Sequence, residues 1–323
     1  MYRIGIDLGG TNIAAGGVND AFEIVGRAKC KTAMPRPAGE IIRDMAKVAR
    51  MAVENAGLAL ADIAYVGVGS PGTCNPDTGI IEYANNLQFD RVPLRDDLSA
   101  LLDGKTVFIE NDANAAALGE ALAGAAKGAQ SCVCITLGTG VGGGIIIDGK
   151  IYGGFNFAGA ELGHTVIMVD GEPCTCGRLG CWEAYASATA LIRQTRRAME
   201  AHPESAMWKV AGSLDKVDGR TAFDALRLGD EAGKQVVGQY IEYIACGLIN
   251  IINIFQPEVL CIGGGICKEG DALILPLQEL IRHERYSKYS SHQTALCVAT
   301  LGNDAGIIGA AFLGEDVYKP YRE

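Results

Sequence analysis

The segments Ile6-Asp7-Leu8-Gly9-Gly10-Thr11 and Ile135-Thr136-Leu137-Gly138-Thr139-Gly140 repeat one construction. Each is an apolar strand and a Gly/Thr turn, followed by a second apolar strand near residues 13–18 or 144–147. A chain that writes this unit twice is expected to fold as two related domains facing a shared cleft. Its 323 residues suffice for that, at about 100–200 residues per domain.

The periodicity supplies the rest of the frame. Residues 2–7 predict the first strand. Ile41, Ile42, Met45, Val48, Ala49 and Ala52 recur at helical spacing over 40–56, with Gly57 suited to the C-terminal cap. Further strands are predicted at 63–68, 107–109, 133–137, 144–147 and 259–262, and helices at 113–123, 183–200 and 231–255. The last carries Val236, Tyr240, Ile244, Leu248 and Ile252 in register, with Pro257 beyond its end. Such mixing predicts α/β or α+β architecture with mixed sheets.

Composition narrows the function. Hydrophobic residues at 49% and charged residues at 20% permit a buried core and exclude global disorder. A net charge of −10 argues against nucleic-acid binding, which needs clustered Lys and Arg. The sequence has no uninterrupted 18-residue apolar run and opens Met1-Tyr2-Arg3 without a charged-then-apolar leader, so we expect a cytoplasmic protein without a membrane span. Eleven cysteines, an odd number, then read as thiols or metal ligands before disulfides.

The glycine clusters invite two misreadings. Residues 138–143 and 67–72 both satisfy G-x-G-x-x-G, but a dinucleotide loop must open a helix. The first runs into Ile145-Ile146-Ile147 and a hairpin turn, and the second into Pro71 and Asn75-Pro76. Residues 144–150 approach a Walker A loop, yet Ile151 stands where Ser or Thr should hold magnesium. What remains is a pair of turns whose glycines let backbone N–H groups approach phosphate and whose threonines add a hydroxyl. An ordinary hairpin turn is the competing reading.

His164, Cys174, Cys176 and Cys181 form H-x9-C-x-C-x4-C. Three thiolates and an imidazole suit tetrahedral zinc, and with all four positions filled the zinc would be structural. The other cysteines read as core thiols. Asp112 lies between a predicted strand and helix, where it could cap the helix or serve as a general base. Asp7, at the end of the first strand, could form the turn or anchor magnesium.

These residues carry a resemblance. Asp7 through Asn12, Glu110-Asn111-Asp112-Ala113-Asn114, Leu137 through Gly144, Glu161-Leu162-Gly163-His164 and Cys174 through Glu183 occur in the order found in the ROK family of sugar kinases and sugar-responsive repressors. That family is part of the hexokinase, actin and Hsp70 ATPase superfamily. The resemblance implies a two-domain, actin-like (ribonuclease H-like) α/β fold, with ATP and sugar in the cleft. It implies a small domain of residues 1–112 that takes back 301–323, and a large domain of 113–300 carrying the zinc segment.

It further implies an ATP-dependent hexose kinase acting on the 6-hydroxyl of glucose, with Asp112 as base. The sugar wall would be Gly72, Asn85, Asn86, Asn111, Glu161, His164 and Glu183. Asp7, Gly9, Gly10, Thr11, Gly138, Thr139 and Gly140 would hold magnesium and phosphates, and Gly263, Gly264 and Gly265 the adenosine side. One imidazole nitrogen of His164 would bind zinc while the other faces the sugar. A homodimer or homotetramer is expected from the family. The alternatives are a kinase for N-acetylglucosamine, N-acetylmannosamine, fructose or allose; a repressor; and an actin-like ATPase. Repressor relatives carry an N-terminal helix-turn-helix, for which a first strand at residue 2 leaves no room. Trp182 departs from the smaller apolar residue that glucokinase-like members often carry.

Overall fold

Strands β1 (Tyr2–Leu8), β2 (Asn12–Asn19) and β3 (Ile24–Lys31) form an antiparallel meander in the computed structural model, which describes residues 1–314. Helix α1 (Ala38–Asn55) buries Ile41, Ile42, Met45, Val48, Ala49 and Ala52, the stripe its periodicity predicts. It ends where expected: Gly57 takes φ +69°, donates to the Glu54 carbonyl at 2.9 Å, and is followed by a Leu58 N–H bond to Val53 at 3.1 Å. The chain returns as β4 (Ile63–Ser70), parallel to β1. A small antiparallel sheet of β5 (Thr73–Asn75), β6 (Ile80–Ala84) and β7 (Phe89–Val92) follows, then α2 (Leu94–Leu101). Strand β8 (Val107–Asn111) joins parallel to β4 and leads into α3 (Asp112–Ala123).

The first five-stranded sheet therefore runs β3-β2-β1-β4-β8. The second contains β9 (Cys132–Leu137), β10 (Val141–Ile147), β11 (Lys150–Ile151), β12 (Val259–Gly263) and β13 (Ala295–Val298), in the order β11-β10-β9-β12-β13. Counted within each sheet, both follow third, second, first, fourth, fifth. The short repeat near residues 6 and 135 is the visible part of this duplication.

Two compact units result: residues 1–134, 143–160 and 299 onward in the first, and 135–142 and 161–298 in the second. In the second, α4 (Glu183–Ala186) and α5 (Ala188–Ala201) precede α6 (Met207–Ala211), α7 (Thr221–Arg227), α8 (Glu231–Phe255) and α9 (Asp271–Glu284). The helix predicted over 183–200 is thus two. Ser187 breaks it by taking extended φ and ψ and capping α5 through the Ala190 N–H. Helix α8 is long and apolar enough to cross a membrane by length and composition, although no uninterrupted apolar run flags it. It packs against α4, α5, α7 and α9, and 56% of its most apolar window is buried.

Helix α10 (Asp304–Ala311) belongs to the first unit and packs on α3, β1 and β4. A Cβ at Gly5 or Gly67 would strike its backbone, so these strand glycines admit the helix at close range. The division keeps α3 with the first unit through this packing, whereas the sequence reading drew its boundary at residue 112. Of the C-terminal segment expected to return, residues 315–323 lie outside the described residues. Buried Glu120 on α3 holds the returning chain, accepting the Leu301 N–H at 2.9 Å, the Ala125 N–H at 2.8 Å and the Thr300 N–H at 3.3 Å. Hydrogen bonds to a charged group are worth about 1.5–3 kcal/mol each, so this carboxylate ties the segment firmly.

Candidate active site

In the first unit the chemistry gathers at the ends of β1, β4 and β8. Gly9, Gly10 and Thr11 turn the chain from β1 into β2, with the Gly9 N–H bonded to Asn12 at 2.9 Å. The turn's carbonyls are tied back: Thr32 Oγ1 donates to Gly9 at 2.6 Å, and the Thr32 N–H to Thr11 at 3.0 Å. Asp7 precedes the turn, its carboxyl against Gly306 of α10. Burial, and then the charge of Asp112, push the Asp7 carboxyl up to about 6. The folded state therefore holds this proton more tightly than the unfolded chain. The contribution of this carboxyl to stability is expected to fall as pH rises from about 4 to 6, by about 3 kcal/mol, an effect that melting curves across that range, compared with Asp7→Asn, would check. A cation beside Asp7 offsets that penalty, so the carboxylate suits magnesium.

The end of β8 settles which residue caps α3. Asn111 accepts the N–H groups of Ala113 at 2.9 Å and Asn114 at 3.2 Å through Oδ1. The N-cap is thus Asn111, and Asp112 is the first helical residue, half-buried, its Oδ1 also accepting the Ala113 N–H at 2.9 Å. Asn111 Nδ2 donates to the Gly72 carbonyl at 3.1 Å, so much of this amide is committed to structure. Glu110, buried, accepts from Asn114 Nδ2 at 3.0 Å and from the Asn111 N–H at 2.7 Å, which fixes the same corner. Gly72 has φ +94°, and a Cβ there would strike Tyr83. The pair Asn85 and Asn86 separates: Asn85 accepts from the Tyr83 hydroxyl at 3.2 Å, while Asn86 lies beside Gly10.

In the second unit, Gly138, Thr139 and Gly140 join β9 to β10, with the Gly138 N–H bonded to Gly140 at 3.0 Å. The break at Ser187 gives this turn its supports. Ala188 N–H donates to Gly138 at 2.8 Å, and Thr189 Oγ1 to Thr139 at 2.8 Å. Glu183 Oε2 accepts the Val141 N–H at 3.0 Å and lies so close to Gly140 that a Cβ there would collide with it. Its other oxygen accepts from Thr175 Oγ1 at 3.4 Å. Glu183 thereby joins the turn to the cysteine segment. Gly264 approaches Leu137 too closely for a Cβ and has φ +105°, so a structural reason accounts for it, whereas Gly265 faces open space.

The ligand atoms of His164, Cys174, Cys176 and Cys181 lie within 4.8 Å of one another. His164 Nδ1 is 3.5 Å from Cys174 Sγ, and Cys176 Sγ is 3.6 Å from Cys181 Sγ. Zinc–sulfur bonds near 2.3 Å place tetrahedral sulfurs about 3.8 Å apart, so the donor set fits that ion. His164 turns its other nitrogen, Nε2, to within 4.0 Å of the exposed Glu161 carboxylate.

The ROK family model matches residues 3–317. The chain belongs to the ROK family. Glucokinase of Thermotoga maritima is 39% identical over 313 residues, covering 96% of each chain. Glucokinase of Streptomyces coelicolor is 36% identical over 316 residues, covering 97% of each. The crystal structure of a ROK family glucokinase from Streptomyces griseus in complex with glucose and AMPPNP matches with a TM-score of 0.81 at 35% identity, covering 98% of this chain and 100% of that one. The α/β class with mixed sheets and the two-domain, actin-like architecture expected of a ROK protein are the fold found here.

The sequence assigns no role to Thr32, nor to Thr189, which closes a stretch from Cys181 that resembles glucokinase-like members. Both are single threonines outside any glycine cluster, and only the folded chain brings them to the turns. The Asn-Asp doublet at 111–112 did contain a signal for the cap, because Asn is as good a capping residue as Asp and stands at the strand end.

Proposed function

We propose that this protein is an ATP-dependent glucokinase, transferring the γ-phosphoryl group of ATP to the 6-hydroxyl of D-glucose. The observation that carries the reading is the position of Asp112: it stands half-buried at the end of β8, close enough to Asp7 for its charge to act there, while Asn111 is the N-cap of α3. The full-length similarity to glucokinases of known name supports it.

Asp112 accepts the 6-hydroxyl proton as that oxygen bonds to the γ-phosphorus and the bond to the ADP oxygen breaks. The proton leaves Asp112 for solvent, and the products are glucose 6-phosphate and ADP. Gly10, Thr11, Thr139 and Gly140 offer N–H and hydroxyl donors to phosphate oxygens, and Gly265 leaves room for the nucleoside. Asn86 or Asn85, with Asn111, Glu161, His164 and Glu183, would provide paired hydrogen bonds for vicinal hydroxyls. Magnesium, anchored near Asp7, would neutralise charge on the phosphates. Zinc on His164, Cys174, Cys176 and Cys181 would fix the imidazole orientation. Such an enzyme works where ATP and free hexose meet, in the cytoplasm.

The test is the purified protein with Mg-ATP and a sugar panel. Glucose is expected to give the highest kcat/KM, above N-acetylglucosamine, N-acetylmannosamine, fructose and allose. Absence of glucose 6-phosphate formation defeats the proposal.

A further inference from the structure

The two Gly/Thr turns share a device that a hairpin does not require. Thr32, buried just beyond β3, donates its hydroxyl to the Gly9 carbonyl at 2.6 Å. Thr189, exposed in the first turn of α5, donates its hydroxyl to the Thr139 carbonyl at 2.8 Å. The two threonines come from unrelated elements, yet each seizes the carbonyl of the peptide that leads into a turn glycine, Gly10 or Gly140.

In a planar trans peptide the carbonyl and the N–H point in opposite directions. Pinning the Gly9 carbonyl therefore aims the Gly10 N–H away from Thr32. Pinning the Thr139 carbonyl likewise aims the Gly140 N–H away from Thr189. The bond from Ala188 to Gly138 does the same for the Thr139 N–H. Glycine peptides rotate easily, and a rotated one would present carbonyl lone pairs to an anion instead of a donor.

We infer that Thr32 and Thr189 are positioning residues for the phosphoryl donor, their hydroxyls holding the Gly10 and Gly140 N–H groups in the orientation that receives phosphate oxygens. This rests on the proposal that the two turns bind the nucleotide.

Thr189→Val removes the hydroxyl from an exposed side chain while keeping its shape. Loss of one neutral hydrogen bond is expected to raise the KM for ATP, and the Kd for AMPPNP measured by calorimetry without sugar, by about three- to tenfold. The KM for glucose and the Tm should stay at the wild-type values, and Thr189→Ser should restore nucleotide affinity. Thr32→Val and Thr32→Ser should show the same pattern, although the buried valine is also expected to lower Tm. Wild-type AMPPNP affinity in Thr189→Val overturns the inference. So does equal weakening in Thr189→Val and Thr189→Ser, or a KM for glucose that rises in step with that for ATP. Calorimetry separates this from the parent reading: a wild-type protein that binds AMPPNP but leaves glucose unphosphorylated refutes the glucokinase and leaves the threonine test standing.

Discussion

Asp112→Asn is expected to lower kcat by about 10²–10⁴-fold while leaving the KM for glucose within a few-fold of wild type. The amide keeps the size and polarity of the carboxylate but cannot take the 6-hydroxyl proton. Two features of the structure make this a clean substitution. Asn111 is the N-cap of α3, and an amide Oδ1 at residue 112 can still accept the Ala113 N–H that Asp112 Oδ1 accepts at 2.9 Å, so the helix keeps its N-terminal bonds. The charge of Asp112 also helps to raise the Asp7 carboxyl, so its removal relieves a repulsion. The variant should therefore melt no lower than wild type. Steady-state kinetics with a melting curve check both halves, and near-normal turnover would exclude the base role.

Loss of the zinc-type cluster is expected to have the second largest effect. Cys181 is the buried member, and in the metal-free cluster burial, followed by the Cys176 and Cys174 thiols, pushes it up to about 12. Metal binding must displace that proton, so affinity should weaken as pH falls. Cys181→Ser should abolish stoichiometric metal, read by elemental analysis. With the metal gone, His164 loses the bond that orients its ring towards Glu161. The kcat/KM for glucose should then fall about 10–100-fold, the range of activity loss seen when the partners of such ligands are disturbed. Wild-type protein that contains no metal but phosphorylates glucose with full efficiency would contradict this assignment.

How much of this could be read from residues alone depended on whether the information was local. Helix α1 with its Gly57 cap, α8 with its apolar register, and the strand–turn–strand repeat are local patterns, and each stands in the fold where periodicity placed it. The cysteine and histidine cluster was legible for the same reason, because a short loop has few ways to bring these four side chains together. Ser187 was missed because the helical pattern from Glu183 to Glu200 continues across it. Its break is fixed by a bond from Ala188 to Gly138, far off in the chain. Thr32, Thr189 and Glu120 escaped for that reason as well. Each satisfies a distant backbone group, and no composition or spacing signals such a partner. The separation of Asn85 and Asn86 likewise needed the fold, which sets Asn85 against the Tyr83 hydroxyl and Asn86 near Gly10.

The most direct measurement is the distance from the Asp112 carboxylate to the sugar O6 atom in crystals grown with glucose, AMPPNP and magnesium. We expect a carboxylate oxygen about 2.6–3.2 Å from O6, with that hydroxyl aimed at the γ-phosphorus. An O6 atom held by other groups, with Asp112 beyond hydrogen-bond reach of every sugar oxygen, would contradict the mechanism.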